Sequence, residues 1–416
     1  MATDVDVQYF SHLNGLVLGN NWGDLIRLLD KALVTGIDFT QITAASIDAQ
    51  GDVHITLFAA HNALLFQVVE LSGFTPNSLN QKYRIKGVPS TTQLILKPKD
   101  AIAVTSISVV GNGKLASLGY DIIFRDANDV KRVYRAKNPT DQHPFIRVDE
   151  SLTSPDGSSG IYNSAYAKYA MVGLLEHMDH IDDFNNPDVL QLPFDVNDPA
   201  KNWKITGAGT AVVRGWGRWY WFRGIPGPSN SASDSAALVP ANRSFTLAGD
   251  SNAFWFLPCS TTNGNNHSLY GAGLLLNTAQ RLTAPWFLSS SISERAASTA
   301  WTQNNDTTIV HGVLLLNNML VNLQNHMSGS ALSGVSFSNT GRGVFGNTAS
   351  PFPMNAVDAS LLHGALPHCY MSSNALSLSN NVTPVISDTS MYVNQSISSG
   401  SGVNIGGVHL YLGELE

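Results

Sequence analysis

A mainly β protein is predicted, with a small N-terminal α+β module followed by β-sandwich or barrel-like domains. Three observations carry this. Short apolar runs rich in β-branched and aromatic residues recur along the chain, bounded by Gly, Ser, Asn or Pro. Helical three- and four-residue periodicity is strongest in a single stretch near the N-terminus. Charged residues are 13% of the chain, about half the usual share. The polar surface must then be built from Ser, Thr, Asn and Gly.

The helical stretch is WGDLIRLLDKALVTG, where Leu25, Ile26, Leu28, Leu29, Ala32 and Leu33 recur on one face. Asp24 fits the first turn and Gly36 the stop. Strand-like runs follow at residues 42–47, 52–58 and 65–71, with Gln50-Gly51-Asp52 as a turn. KYRIKGV and QLILKPK then alternate as a half-buried hairpin, Tyr83 and Ile85 facing inward with Leu94 and Leu96. Beyond Pro98 the pattern becomes more uniformly β, and DANDV joins two antiparallel strands. Residues 151–160 read as a loop. The run from Tyr166 to Glu176 has the composition of a helix, yet its alternation favours a strand. Residues 185–202 hold three prolines and form an irregular surface segment. Further short runs at residues 271–276, 284–289 and 312–316 and in the C-terminal VNIGGVHLYLGELE are spaced as in a sandwich or barrel. The domain expectation is residues 1–98 for the α+β module, 99–342 for a central β domain and 343–416 for a C-terminal β extension.

Residues 201–258 concentrate the aromatics: Trp203, Trp216, Trp219, Trp221 and Trp255 are five of the chain's eight tryptophans. Two strands are read there, at residues 212–224 and 252–258, separated by a Pro/Ser/Asn-rich loop. Arg214, Arg218 and Arg223 interleave with the rings. Arginine beside aromatics marks interface hot spots, and rings also stack on sugars, so core, subunit interface and glycan platform compete. Rings fall on both faces of each strand, and exposing one face would cost several kcal/mol of apolar burial. Core is the preferred assignment for Trp216, Trp219, Trp221 and Trp255, with interface second.

Catalytic and metal-binding sets are not found. The segment from His177 to Asp183 has two His and three Asp. Neither a strand nor a helix gathers three of them on one face, so solvated turn residues are expected. Acids such as Asp121, Asp126, Asp129, Asp149 and Glu150 lack any sign of the paired geometry that glycoside hydrolysis needs. Arg135 and Arg147 are expected near Asp149 and Glu150 as a structural cross-strand ion pair. No nucleophile elbow or phosphate-binding loop is present. Cys259 and Cys369 are the only cysteines and read as buried free thiols. No cofactor is implied, and the chain is not expected to be an enzyme.

Charge narrows the partners. The last lysine is Lys204, and the remaining 212 residues carry seven arginines. A surface of neutral polar groups loses little on being covered, which suits a permanent assembly or a sugar-facing surface. A net charge of −7 argues against nucleic acid. The opening MATDVDVQYF has no basic region followed by an apolar run, and no 18-residue apolar stretch occurs. Folding in a cytoplasm without membrane insertion is expected.

The run GYDIIFRDANDVKRVYRAKNPTDQHPFIRVDES resembles a segment of structural proteins from the tail and baseplate region of tailed bacteriophages. The matching positions are Tyr134-Arg135 and Arg147-Val148-Asp149, with Glu150 departing from the final Asp. The similarity continues through Ala167 to Asp179, Trp219 to Phe222, Gly249-Asp250 with Phe254-Trp255-Phe256, and Thr340-Gly341-Arg342-Gly343. The N-terminal stretch GDVHITLFAAHNALLFQVVELSGFTPNSLNQKYRIKGVPSTTQLILK is similar to a small β module of phage tail proteins. The resemblance implies a virion localisation and a tail, baseplate or tail-tip subunit that packs against other copies of itself and other virion proteins. The alternative is a receptor- or glycan-binding virion protein, with the Ser/Asn-rich C-terminal third facing a host surface glycan.

Overall fold

The computed structural model describes residues 3–154, 160–195, 197–224, 234–259, 267–278, 284–292, 313–316, 328–331, 352–358, 361–372, 381–398 and 404–415. Among them the chain is mainly β, built of antiparallel sheets and one short α-helix. Parts of the sequence reading fall outside: most of the loop after Ser154, residues 225–233 of the Pro/Ser/Asn-rich loop, Thr340 to Gly343 and much of the Ser/Asn-rich C-terminal third. The rest of the Pro/Ser/Asn-rich run is described and holds a strand, Phe245–Gly249, where a loop is expected.

Seven strands form an N-terminal sheet in the order Ile37–Asp38, Asn112–Leu115, Val68–Ser72, Lys82–Ser90, Gln93–Pro98, Val53–Leu57, Ile42–Ile47. The expected hairpin is there, with Ile85 opposite Leu96 and Tyr83, Ile85, Leu94 and Leu96 all buried. Pro98 falls inside this sheet's span, because Asn112–Leu115 returns to pair with Val68–Ser72. Conversely, Gln8–Ser11 leaves the module and pairs with Phe245–Gly249 of the central sheet.

The helix runs Asp24–Leu29 and continues as a π-helical turn over Asp30–Thr35. Its apolar stripe, Leu25 to Leu33, is buried in the main core, while Arg27 and Lys31 face water. Each buried leucine contributes about 1.5–3 kcal/mol. Gly36 ends it at φ +73°, where a Cβ would lie 2.2 Å from the Leu115 carbonyl oxygen. No side-chain-bearing residue fits that turn without moving the neighbouring strand.

The central sheet runs Gln8–Ser11, Phe245–Gly249, Ala253–Pro258, Tyr270–Leu274, Trp286–Ile292, Gly217–Phe222, Lys168–Leu175, Phe145–Asp149, Lys131–Ala136, Tyr120–Arg125. Gln191–Leu192 pairs with Lys168–Leu175, and Val313–Leu316 joins Trp286–Ile292 in parallel. The ambiguous stretch is a strand, Lys168–Leu175, as its alternation indicated. Ala170, Val172 and Leu174 face the main core, and Met171 and Leu175 face a smaller one with Phe184 and Trp203. A strand covered on both faces needs apolar groups in both registers, which is why it also had a helix-like composition.

The C-terminal sheet has the order Ser328–Ala331, Phe352–Asp358, Leu361–Ser372, Asn404–Glu414, Ser390–Ser398, Thr383–Ser387. It covers the second face of the central sheet through Trp255, Leu257 and Phe287 against Cys369, Met391, Val393, Val408 and Leu410. The central sheet is thus a shared layer: the N-terminal sheet and helix contribute to the core on one face, the C-terminal sheet to the core on the other.

Candidate functional site

The two aromatic strands are separated in space by Tyr270–Leu274 and Trp286–Ile292. Alternation along Ala253–Pro258 divides its rings, Phe254 and Phe256 entering the main core, Trp255 the core under the C-terminal sheet. There Trp255 stacks on Phe287 at 4.8 Å, and its indole N–H donates to the Pro367 carbonyl at 2.8 Å. Trp219 meets Phe254 edge-on at 5.8 Å and donates to Ser289 O at 2.9 Å. Trp221 meets Trp22 edge-on at 5.9 Å. Trp216 is buried as well, with the Lys201 ammonium 3.5 Å from its ring centroid. None of these four indoles offers a face to solvent.

The interleaved arginines are equally internal. Arg214 donates to the backbone carbonyls of Ser151, Tyr169 and Asp149, and its guanidinium lies over the Tyr169 and Trp22 rings. Arg218 donates to Gly215 O at 2.9 Å and to the Tyr220 hydroxyl at 2.9 Å. Arg218 and Arg223 flank Asp234 at 3.5 and 3.0 Å, and the Tyr220 hydroxyl donates to the same carboxylate at 3.1 Å. Burial pushes the Asp234 carboxyl above its ordinary range, with both guanidiniums opposing the shift. This network ties strands and loops together. Asp234 was not singled out from the sequence, because it follows a polar loop with no periodic signal.

The expected ion-pair quartet is only half assembled. Arg147 and Asp149 alternate on one strand, so their side chains share a face and pair at 2.9 Å. Arg147 also bonds Asp182 at 2.7 Å and is sandwiched by the Phe184 and Trp203 rings at 4.9 and 4.3 Å. Neighbouring Arg147, Arg214 and Lys131 hold the Asp149 carboxyl below its usual range despite burial. Arg135 is not a partner of either acid. Antiparallel register places Tyr134 opposite Ile146 and Lys131 opposite Asp149, which carries Arg135 to the other end of the strand. There it stacks on Phe145 at 4.4 Å and donates to His143 O.

Glu150 has a different task from the one expected. Its carboxyl accepts the backbone N–H groups of Gly23 and Ile26, capping the first turn of the helix from 124 residues away. Burial outweighs the pull of these amides and of Arg214 and raises its pKa to about 7. Below its ordinary value of 4.5 the group is protonated whether the chain is folded or not. Between 4.5 and about 7 the unfolded chain releases the proton and the folded chain keeps it, so this group's contribution falls as pH rises. The window spans about 3 kcal/mol. Thermal unfolding of Glu150→Gln against the parent between pH 5 and 8 is expected to show the parent losing stability relative to the variant up to pH 7, then running level. Parallel curves would overturn this assignment.

In the segment from His177 to Asp183 the groups are used separately. His177 pairs with Asp179 at 3.0 Å on the surface, and Asp182 binds Arg147 and Lys131. Among the described residues no group of three or more His, Cys, Asp or Glu is placed to hold a metal. Cys259 and Cys369 are buried thiols outside any disulfide, and burial pushes the Cys369 thiol up. A pair not anticipated is His368 with Asp250, 3.1 Å apart, His368 having a left-handed backbone at φ +59°. It joins the C-terminal sheet to the turn between Phe245–Gly249 and Ala253–Pro258. A shallow cavity of about 420 Å³ is lined by Leu13, His61, Asn62, Leu64, Val88 and Thr91 among others, and by none of the aromatic or arginine residues above. The His61 ring is already engaged with Ala63 N and with the Ser90 and Gln93 carbonyls. Among the described residues no helix is long and apolar enough to cross a membrane. No protein-family model and no curated protein matches the chain.

Proposed function

We propose that the chain is a structural subunit of a tailed-phage virion, in the tail, baseplate or tail-tip region, acting through packing against copies of itself and other virion proteins. One observation carries the assembly part of this reading. Beyond Lys204 the described cations are Arg214, Arg218, Arg223 and Arg243, and all four are buried. The outer surface described over that half therefore displays no arginine or lysine. Covering such a surface desolvates few charges, which lowers the cost of permanent association. The phage assignment rests on the sequence resemblance, above all on the segment around Tyr134-Arg135 and Arg147-Val148-Asp149.

Light scattering of the purified full chain, followed by incubation with isolated tail and baseplate fractions, tests the proposal. Assembly into a closed oligomer or incorporation into those fractions is expected. A chain that stays monomeric and joins neither fraction would sink it. Binding of the full chain to a glycan array, without incorporation, would instead favour the receptor-binding alternative.

A further inference from the structure

We infer that the edge strand Ile42–Ile47 is a pairing surface for a second copy of this chain, joined antiparallel edge to edge. The inference rests on the oligomeric reading above and names the surface it uses. Ile42–Ile47 is the last strand of the N-terminal sheet and, among the described residues, pairs only with Val53–Leu57. An antiparallel edge leaves alternate backbone N–H and C=O groups pointing outward, ready to accept another strand.

Three of the described edges carry a device that blocks that reaction. Tyr120–Arg125, at the end of the central sheet, carries Asp121 and Arg125 and is followed by Asp126. Thr383–Ser387, at the end of the C-terminal sheet, contains Pro384. Ile37–Asp38 is two residues long and ends in an acid. Charge, proline and shortness are the devices that keep edges unpaired. Ile42–Ile47 reads ITAASI and has none of them: no charge, no proline, six residues. Thr43, Ala44 and Ser46 are exposed, and a register shift near Ile42 leaves the run from Ala44 to Ile47 regular.

Its neutral character points to a copy of itself as the occupant. About a two-fold axis normal to the sheet at Ala45, which keeps facing side chains on one face, Ala44 of one copy lies opposite Ser46 of the other, both of them exposed. No like charges meet, so self-pairing meets no repulsion. Phe58, 76% exposed, donates its backbone N–H to Gln41 O and stands at the head of this edge.

Two full-length variants test this, Ala44→Lys with Ser46→Lys, and Ala44→Glu with Ser46→Glu. Both sites are exposed, so folding is expected to be unaffected, and circular dichroism checks it. Each variant alone is expected to self-associate at least about tenfold more weakly than the parent in sedimentation velocity, because like charges face each other. Mixing the two is expected to restore association, since the lysines of one variant then meet the glutamates of the other. If both variants assemble like the parent, the edge assignment is overturned while the oligomeric subunit reading stands. If the parent itself is monomeric, both fall. If the mixture fails to recover although each variant is weakened, the antiparallel self-pairing is overturned.

Discussion

Arg147→Met is expected to lower the stability of the folded chain by about 3–5 kcal/mol. The guanidinium is fully buried and holds three partners: the Asp149 carboxylate, the Asp182 carboxylate and the Ile181 carbonyl. Methionine keeps the stem and much of the contact with Phe184 and Trp203, so little of the loss comes from volume. What remains is Asp149, an anion with almost no solvent contact that retains one backbone donor at Ser151. Removing one member of a buried pair strands the other, whereas removing both can be nearly neutral. The double variant Arg147→Met with Asp149→Leu is therefore expected to recover a large part of the loss. Chemical denaturation of the parent, both singles and the double gives the coupling energy. Additive single effects would show that the pair is not what holds this face together. The Asp149 pKa is depressed, so its contribution is present above the ordinary carboxylate value of 3.8. It is lost only as pH falls below that range, and acid sensitivity in Arg147→Met is expected to move upward.

These residues also mark what a sequence can disclose. The helix from Asp24 was legible because its apolar stripe is local, and so was its stop at Gly36. The strand Lys168–Leu175 was legible because alternation survives even where both faces are buried. The burial of Trp219, Trp221 and Trp255 followed from rings lying on both faces of short strands. Register was not legible. Arg135 and Arg147 look like cross-strand neighbours until antiparallel pairing sets Tyr134 against Ile146, which moves Arg135 away from Asp149. Gln8–Ser11 was missed because it is short and finds its partner, Phe245–Gly249, more than 200 residues away in the chain. Phe245–Gly249, which also forms a hairpin with Ala253–Pro258, was missed because it lies within a run read as loop. The capping task of Glu150 is non-local in the same way, since its amides at Gly23 and Ile26 lie on the far side of an intervening sheet in sequence order. Glu150 is also the position where the sequence departs from the Arg-Val-Asp-Asp pattern that the proposed resemblance carries. The longer side chain is the one that reaches the helix terminus here.

Arg84 carries the same lesson to its largest consequence. Within KYRIKGV it alternates with Tyr83 and Ile85, and a polar residue in that register reads as solvent-facing. It is instead completely buried, because the N-terminal segment and the last strand cross over that face. Its guanidinium donates to Asp4 O, Val7 O, Phe66 O and Leu412 O, at 2.8, 2.9, 2.7 and 2.9 Å. These four carbonyls come from the chain's beginning, a loop of the N-terminal sheet and the final strand. Desolvation lowers the Arg84 pKa to about 10, so the group stays charged at neutral pH, and its charge is spread over carbonyl dipoles. Bonds to a charged donor are worth about 1.5–3 kcal/mol each and do not add fully. Arg84→Met is thus expected to cost about 3–5 kcal/mol. Arg84→Lys should recover only part of this, since an ammonium lacks the planar fork that reaches four oxygens. The loss should also be localised. Amide hydrogen exchange is expected to rise first in the strands Asn404–Glu414 and Ser390–Ser398, ahead of the central sheet, because the C-terminal sheet loses its tie to the N-terminal one. A variant within about 1 kcal/mol of the parent, or one whose exchange rises uniformly, would show that the two termini are held without Arg84, by apolar contact and the hydrogen bonds between Thr3, Asp4 and Glu414.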